Sequence, residues 1–228
     1  MAFLESVNLG TVRAAVSDIG VSAIDRRPAG RPVMVRAPGP KGVGGSGLVG
    51  DQIADRRHHG GDEAAVYAYA REDLDWWQDR LGVELASGVF GESLTTVGLD
   101  VTGARTGELW RVGDDVLLQP TSPRIPCRTF AAWMERRGWV KTFTERGHPG
   151  AYLRVVEPGW IRAGDPITVE WRPDHEVTIG LIFRALTTDD ELLQRLLEAE
   201  QLPAKLRDDV ERRLASQLRS QARRAAGA

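Results

Sequence analysis

Residues 107–130 read GELWRVGDDVLLQPTSPRIPCRTF. Two β-prone runs, ELWRV (108–112) and DVLLQ (115–119), flank Gly113-Asp114, and Gly107-Glu108 opens the first of them. Glycine reaches positive φ without a Cβ penalty, and an acidic neighbour tolerates turn geometry, so each pair predicts a turn feeding a strand. The same signal stands at Gly50-Asp51 and Gly164-Asp165, with irregular spacing that marks no structural repeat. Further β-prone runs, FLESV, RPVMVR, AVYAY, ESLTTV, AYLRVV and PITVEW, lie between frequent Gly and Pro up to about Trp171. Many short strands with dense turns predict a mainly β sandwich or barrel.

Helical patterns interrupt and then replace this β region. REDLDWWQDRLG (71–82) puts Leu74, Trp77 and Leu81 on one face and stops at Gly82. TFAAWMERRG (129–138) gathers Phe130, Trp133 and Met134 and also ends at glycine. The tryptophans read as packing residues. PGPKGVGGSGLVG (38–50) matches no phosphate-loop pattern and reads as a surface loop. Beyond about 175 a first helix is expected near 177–186. Thr188 with Glu191 three positions on then forms a capping-box pattern. Leu206, Val210, Leu214 and Leu218 recur every four residues as an apolar stripe, and the interleaved arginines read as a solvated face. The expected division is a β domain over 1–175 and a small α-helical domain over 176–228.

Bulk properties narrow the function classes. The chain has 228 residues, 42% hydrophobic and 27% charged, with a formal net charge of −2. That balance exerts no global pull on nucleic acid or acidic membranes. One cysteine excludes an internal disulfide, and the N-terminus shows no basic segment before a long apolar core. The longest apolar runs, such as VTIGLIF (177–183), fall short of the ~20 residues that span a bilayer. A reducing, cytoplasmic setting is the expectation.

Three segments could carry chemistry. Cys127 lies between Pro123, Pro126, Arg124 and Arg128; the prolines restrict the backbone, and cations favour thiolate. A metal ligand or nucleophile and a buried structural cysteine both remain open on these local facts. In RRHHGGDE (56–63), adjacent His58 and His59 would point to opposite faces of an extended stretch, so at most one would serve a site. A zinc site of His59, Cys127 and a carboxylate has no paired ligand spacing behind it. GVFGESLTT (88–96) reads as a bulge or barrel corner at a strand start, and no G-x-S-x-G marks a serine hydrolase.

Taken in series, GLVGDQIADRRHHGGDEAAVYAYAREDLDWW (47–77), FGESLTT (90–96), TGELWRVGDDVLLQPTSPRIPCRTF (106–130) and GHPGAYLRVVEPGWIRAGDPITVEW (147–171) resemble the MOSC family. This family is named after the C-terminal domain of molybdenum cofactor sulfurases. The likeness is to its stand-alone, YiiM-like bacterial branch and covers roughly residues 3–175. It implies a MOSC β-barrel with inserted short helices, followed by a small C-terminal three-helix unit. It further implies a molybdenum–molybdopterin cofactor (Moco), with Cys127 as both catalytic residue and thiolate ligand of the molybdenum. Arg124 and the preceding Thr121 and Ser122 would line the pterin or its phosphate, and His59, Gly60 and Gly61 would border the pocket. Arg56 and Arg57 stand where relatives often carry lysine. Glu92 and Ser93 fall in the family's Phe-Gly-Glu motif, with Ser93 where relatives commonly have asparagine.

The function the resemblance implies is that of a molybdenum-dependent oxidoreductase. It would reduce N-hydroxylated small molecules, such as hydroxylamino bases, with electrons from a separate flavin or iron–sulfur reductase. The alternative is a cofactor or sulfur carrier without turnover of its own. Neither reading calls for nucleic acid or a membrane, and a homodimer is compatible with both.

Overall fold

In the computed structural model, which describes residues 1–226, the β-prone runs become strands in the expected order. The strands are β1 (Ala2–Gly10), β2 (Arg13–Ala14), β3 (Val21–Ser22), β4 (Arg26–Pro28), β5 (Val33–Val35), β6 (Val66–Ala70), β7 (Leu94–Val97), β8 (Leu109–Val112), β9 (Val116–Pro123), β10 (Ala151–Glu157), β11 (Gly159–Ile161) and β12 (Pro166–Trp171). Helix α1 (Arg71–Leu81) follows β6, α2 (Arg128–Met134) and α3 (Trp139–Arg146) follow β9, and α4 (Ile179–Thr187), α5 (Leu193–Leu196) and α6 (Ala204–Ala226) close the chain.

Seven strands close into a barrel in the order β1-β12-β8-β9-β10-β6-β7, and β7 returns to β1. A ring of seven cannot be antiparallel at every step, because strand direction must reverse an even number of times. The parallel pair β6–β7 resolves the parity. A parallel pair needs a long crossover, and α1 with the loop after it supplies that crossover. The Gly-acid pairs at 107, 113 and 164 form turns into β8, β9 and β12, each with glycine at positive φ. Gly50-Asp51 differs from the expectation: it opens the 51–61 loop, and Asp51 accepts the Gly10 N–H at 2.7 Å.

Strand alternation builds two separate cores. In β6, VYAYA, Val66, Ala68 and Ala70 fill the barrel, while Tyr67 and Tyr69 face outward into a second, aromatic cluster. That cluster also holds Trp77 from α1, Phe90, Phe130 from α2, and Trp139 and Phe143 from α3. Trp77 lies 4.7 Å from Trp139 and stacks on Phe143 at 6.0 Å (ring centroids), and its Nε1–H donates to the Tyr69 hydroxyl.

Three helical expectations need correction. α2 ends at Met134 because Glu135 turns left-handed (φ 52°), so it does not reach Gly138, and Trp133 stays partly exposed. A separate α3 follows, in which Trp139 and Phe143 are buried four residues apart. No capping box forms at Thr188, which ends α4; the helix-capping threonine is Thr178, whose hydroxyl accepts the Leu181 N–H. Residues of α4, α5 and α6, including Ile182, Leu196 and Val210, share one core with the barrel, whereas Leu218 at the end of the predicted stripe is exposed. Among the described residues no helix is long and apolar enough to cross a membrane.

The aromatic cluster carries an expected outcome. Trp77→Ala should lower unfolding free energy by about 3–5 kcal/mol, read from urea denaturation.

Candidate functional site

β9 delivers the decisive segment. Its last residue, Pro123, pairs with Ala151 of β10, and residues 124–127 continue from there. Arg124 is 7% exposed, Ile125 points outward at 45%, and Cys127 is half-buried with an extended backbone as it enters α2. Arg124 and Arg128, which bracket the cysteine in sequence, therefore differ in burial, although both line the same cavity. Arg124 turns inward, while Arg128 is exposed and lies 3.3 Å from Asp18.

The Arg124 guanidinium carbon sits 3.7 Å from the centroid of the Phe130 ring and 5.3 Å from that of Tyr67. It donates to the Phe90 carbonyl. No Asp or Glu side chain pairs with it among the described residues; its ionisable neighbours include Tyr67, Tyr152, Cys127 and His59. Cation–π contacts offset part of the desolvation of a buried charge but do not neutralise it.

The Phe90 carbonyl is aimed by Glu92. That fully buried carboxylate accepts N–H bonds from Gly88 at 2.5 Å and Phe90 at 3.0 Å, and a hydroxyl bond from Thr95 at 3.0 Å. Burial nevertheless pushes its carboxyl above the usual range. Asn8 donates to the Glu92 carbonyl and to Thr95, so β1 and β7 lock the same turn. Next to it, Ser93 lies at the pocket wall, and its hydroxyl accepts the Tyr67 N–H at 3.3 Å, leaving its own proton to donate.

The 51–61 segment coils in turns rather than extending, so the opposite-face argument for its histidines does not apply. Both rings border the cavity; His58 is held by Asp55 at 2.7 Å. His59 is exposed at the cavity rim and feels the Arg124 charge. Desolvation by the surrounding wall, and then Arg124, hold its imidazole below the ordinary histidine range. Gly60 and Gly61 have φ of 75° and 80°, and a Cβ at Gly60 would stand 2.5 Å from the Gly45 carbonyl oxygen. These glycines are required by close packing on the 39–47 loop.

These elements enclose a cavity of about 440 Å³, a size typical of small-molecule sites. It brings together Cys127, Arg124, His59, Gly60 and Ser93 of the residues expected from sequence. Arg57, Gly61, Glu92, Thr121 and Ser122 lie off its wall. Arg57 is exposed and Gly61 is buried behind Gly60. The Thr121 hydroxyl is shared between the carbonyls of Glu63 at 2.6 Å and Tyr152 at 3.0 Å, and Ser122 pairs with Tyr152 across β9–β10. Among the described residues no three His, Cys, Asp or Glu side chains gather as a metal cage, so the zinc arrangement does not form.

Sequence reading missed Tyr67 and Tyr152, which line the cavity beside Arg124. The available signal was the alternation of VYAYA and AYLRVV, which places tyrosine opposite the small or aliphatic core residues. Burial pushes the Tyr152 phenol above its ordinary range, although Arg124 pulls the other way. The donor set fits an anionic, heteroatom-rich cofactor with a soft metal: a buried cation lacking an acid, a thiol at the wall and a hydroxyl with a proton to give.

The MOSC domain pattern matches residues 55–168. The chain is 30% identical to the uncharacterized protein YflK of Bacillus subtilis over 135 residues, covering 59% of this chain and 61% of that protein. It is 30% identical over 168 residues to a protein named Reductase in Gibberella moniliformis, covering 72% of this chain but 30% of that longer protein. Identity to Protein YiiM of Escherichia coli is 27% over 191 residues, covering 80% and 84% of the two chains. The crystal structure of YiiM from Geobacillus stearothermophilus superposes with a TM-score of 0.74 at 24% identity, covering 94% of this chain and all of that one.

Two outcomes follow from the charges. A histidine with depressed pKa destabilises the fold as pH falls below about 6.5, because the unfolded chain then binds the proton more readily. The fall in urea midpoint between pH 7.5 and 5.5 should therefore be smaller in His59→Gln than in wild type. Arg124→Met should leave stability without added anion unchanged or higher, since it removes an uncompensated buried charge. Inorganic phosphate should raise the melting temperature of the wild type and not that of this variant.

Proposed function

The chain belongs to the MOSC domain family, and from that premise we propose that it binds the molybdenum–molybdopterin cofactor in this cavity and reduces N-hydroxylated compounds. The observation that carries the reading is Arg124, a buried cation that forms no ion pair with an Asp or Glu among the described residues, facing the same cavity as the one thiol of the chain. A phosphate-bearing pterin supplies the missing anion, and Cys127 supplies a soft sulfur ligand. Ser93 and Gly60 contribute polar wall atoms, and His59, in its neutral form, offers one ring nitrogen as donor and one as acceptor.

The bound cofactor would supply a two-electron centre for removing oxygen from nitrogen. The reaction balances as R–NH–OH plus two electrons and two protons giving R–NH₂ and water, with the N–O bond broken. The electrons would come from a separate flavin or iron–sulfur protein. The fungal relative named Reductase, of which this chain matches only 30%, supports an oxidoreductase reading by its name alone.

Protein produced in a cofactor-competent host should carry molybdenum and pterin and reduce hydroxylaminopurine with an artificial electron donor. Cys127→Ser should lose activity and most of its molybdenum while keeping the wild-type circular dichroism spectrum and melting temperature. Normal turnover by that variant would sink the ligand assignment. A loaded wild type that never reduces the substrate would leave the carrier reading in place.

A further inference from the structure

Tyr152 occupies a position that the cofactor reading does not use. The two other tyrosines of the neighbourhood spend their hydroxyl protons on the backbone: Tyr67 on the Pro149 carbonyl at 2.8 Å and Tyr69 on the His148 carbonyl at 3.1 Å. Tyr152 makes no side-chain hydrogen bond with any described residue, and its ring lines the cavity 5.2 Å from the Tyr67 ring (centroids). It lies on β10 opposite Ser122, beside the end of β9 that leads into Arg124 and Cys127. Tyr152 is half-buried, and its hydroxyl, unclaimed by the protein, is free to donate to a molecule in the cavity.

Resting on the function proposed above, we infer that the Tyr152 hydroxyl donates a hydrogen bond to the nitrogen-bound oxygen of the substrate. The ring packs the wall and the O–H selects for the N-hydroxyl group over the parent amine. A site built to bond a hydroxyl discriminates against the ligand that lacks it, because that ligand forgoes the bond and covers the donor without replacing its water.

Tyr152→Phe removes only this oxygen, and no internal hydrogen bond is lost with it. The cofactor-loaded variant should keep wild-type molybdenum and pterin content and melting temperature. Equilibrium dialysis against the oxidised holoenzyme should show hydroxylaminopurine bound about tenfold more weakly, with binding of the corresponding aminopurine unchanged. Turnover with the artificial donor should fall by at least as much. Equal loss of affinity for both ligands, loss of cofactor, or unchanged affinity for the N-hydroxyl compound would each overturn the inference. A wild type without cofactor would overturn the proposed function as well, whereas an active wild type matched by its variant overturns Tyr152 alone.

Discussion

A guanidinium held against the face of Phe130, with no carboxylate paired to it among the described residues, is the constraint around which the site is arranged. Desolvating a charge is expensive, and ring faces with one carbonyl recover only part of that cost. Much of the nearby structure serves to keep Arg124 in place. Glu92 folds the 88–92 turn so that the Phe90 carbonyl meets the guanidinium. Phe90, Trp139 and Phe143 pack around Phe130 at 5.2–5.5 Å and fix the ring beneath it. The remaining electrostatic demand is directed into the cavity, where an anionic ligand would meet it.

The barrel makes this arrangement available through its parity. Seven strands impose one parallel pair, and the crossover between β6 and β7 carries both α1 and the Phe90–Ser93 loop outside the barrel. The alternation of β6 and β10 then sends Tyr67, Tyr69 and Tyr152 to that same outer side, while valine, alanine and leucine fill the interior. The barrel core and the aromatic cluster can therefore be considered separately: one closes the fold, and the other shapes the pocket floor.

Glu92 shows how a motif residue can matter to a site without touching its ligand space. Its carboxylate is occupied by the turn it organises, and its effect on the cavity passes through Phe90 and Arg124. Gly60 and Gly61 act in a comparable way, since their left-handed backbone lets the 51–61 segment pack on the 39–47 loop and present His59 at the rim. Cys127, Arg124, Ser93 and Tyr152 are among the side chains that line the cavity so positioned.

Period-two runs, Gly-acid turns and the Leu74–Trp77 face are local properties, and from them the strands, α1 and the mainly β character were legible in sequence. Cys127, preceded by Pro123 and Pro126, was likewise visible as a candidate, and its place in series with HHGG and FGES indicated the family. The fate of the two bracketing arginines was not visible, because burial of one and exposure of the other depends on where α2 packs. Nor could sequence show that α2 breaks at Glu135, that Thr178 rather than Thr188 caps a helix, or that Tyr152 is left without a partner. Those outcomes depend on contacts between residues far apart in the chain, and only the closed barrel brings β6, β9 and β10 side by side.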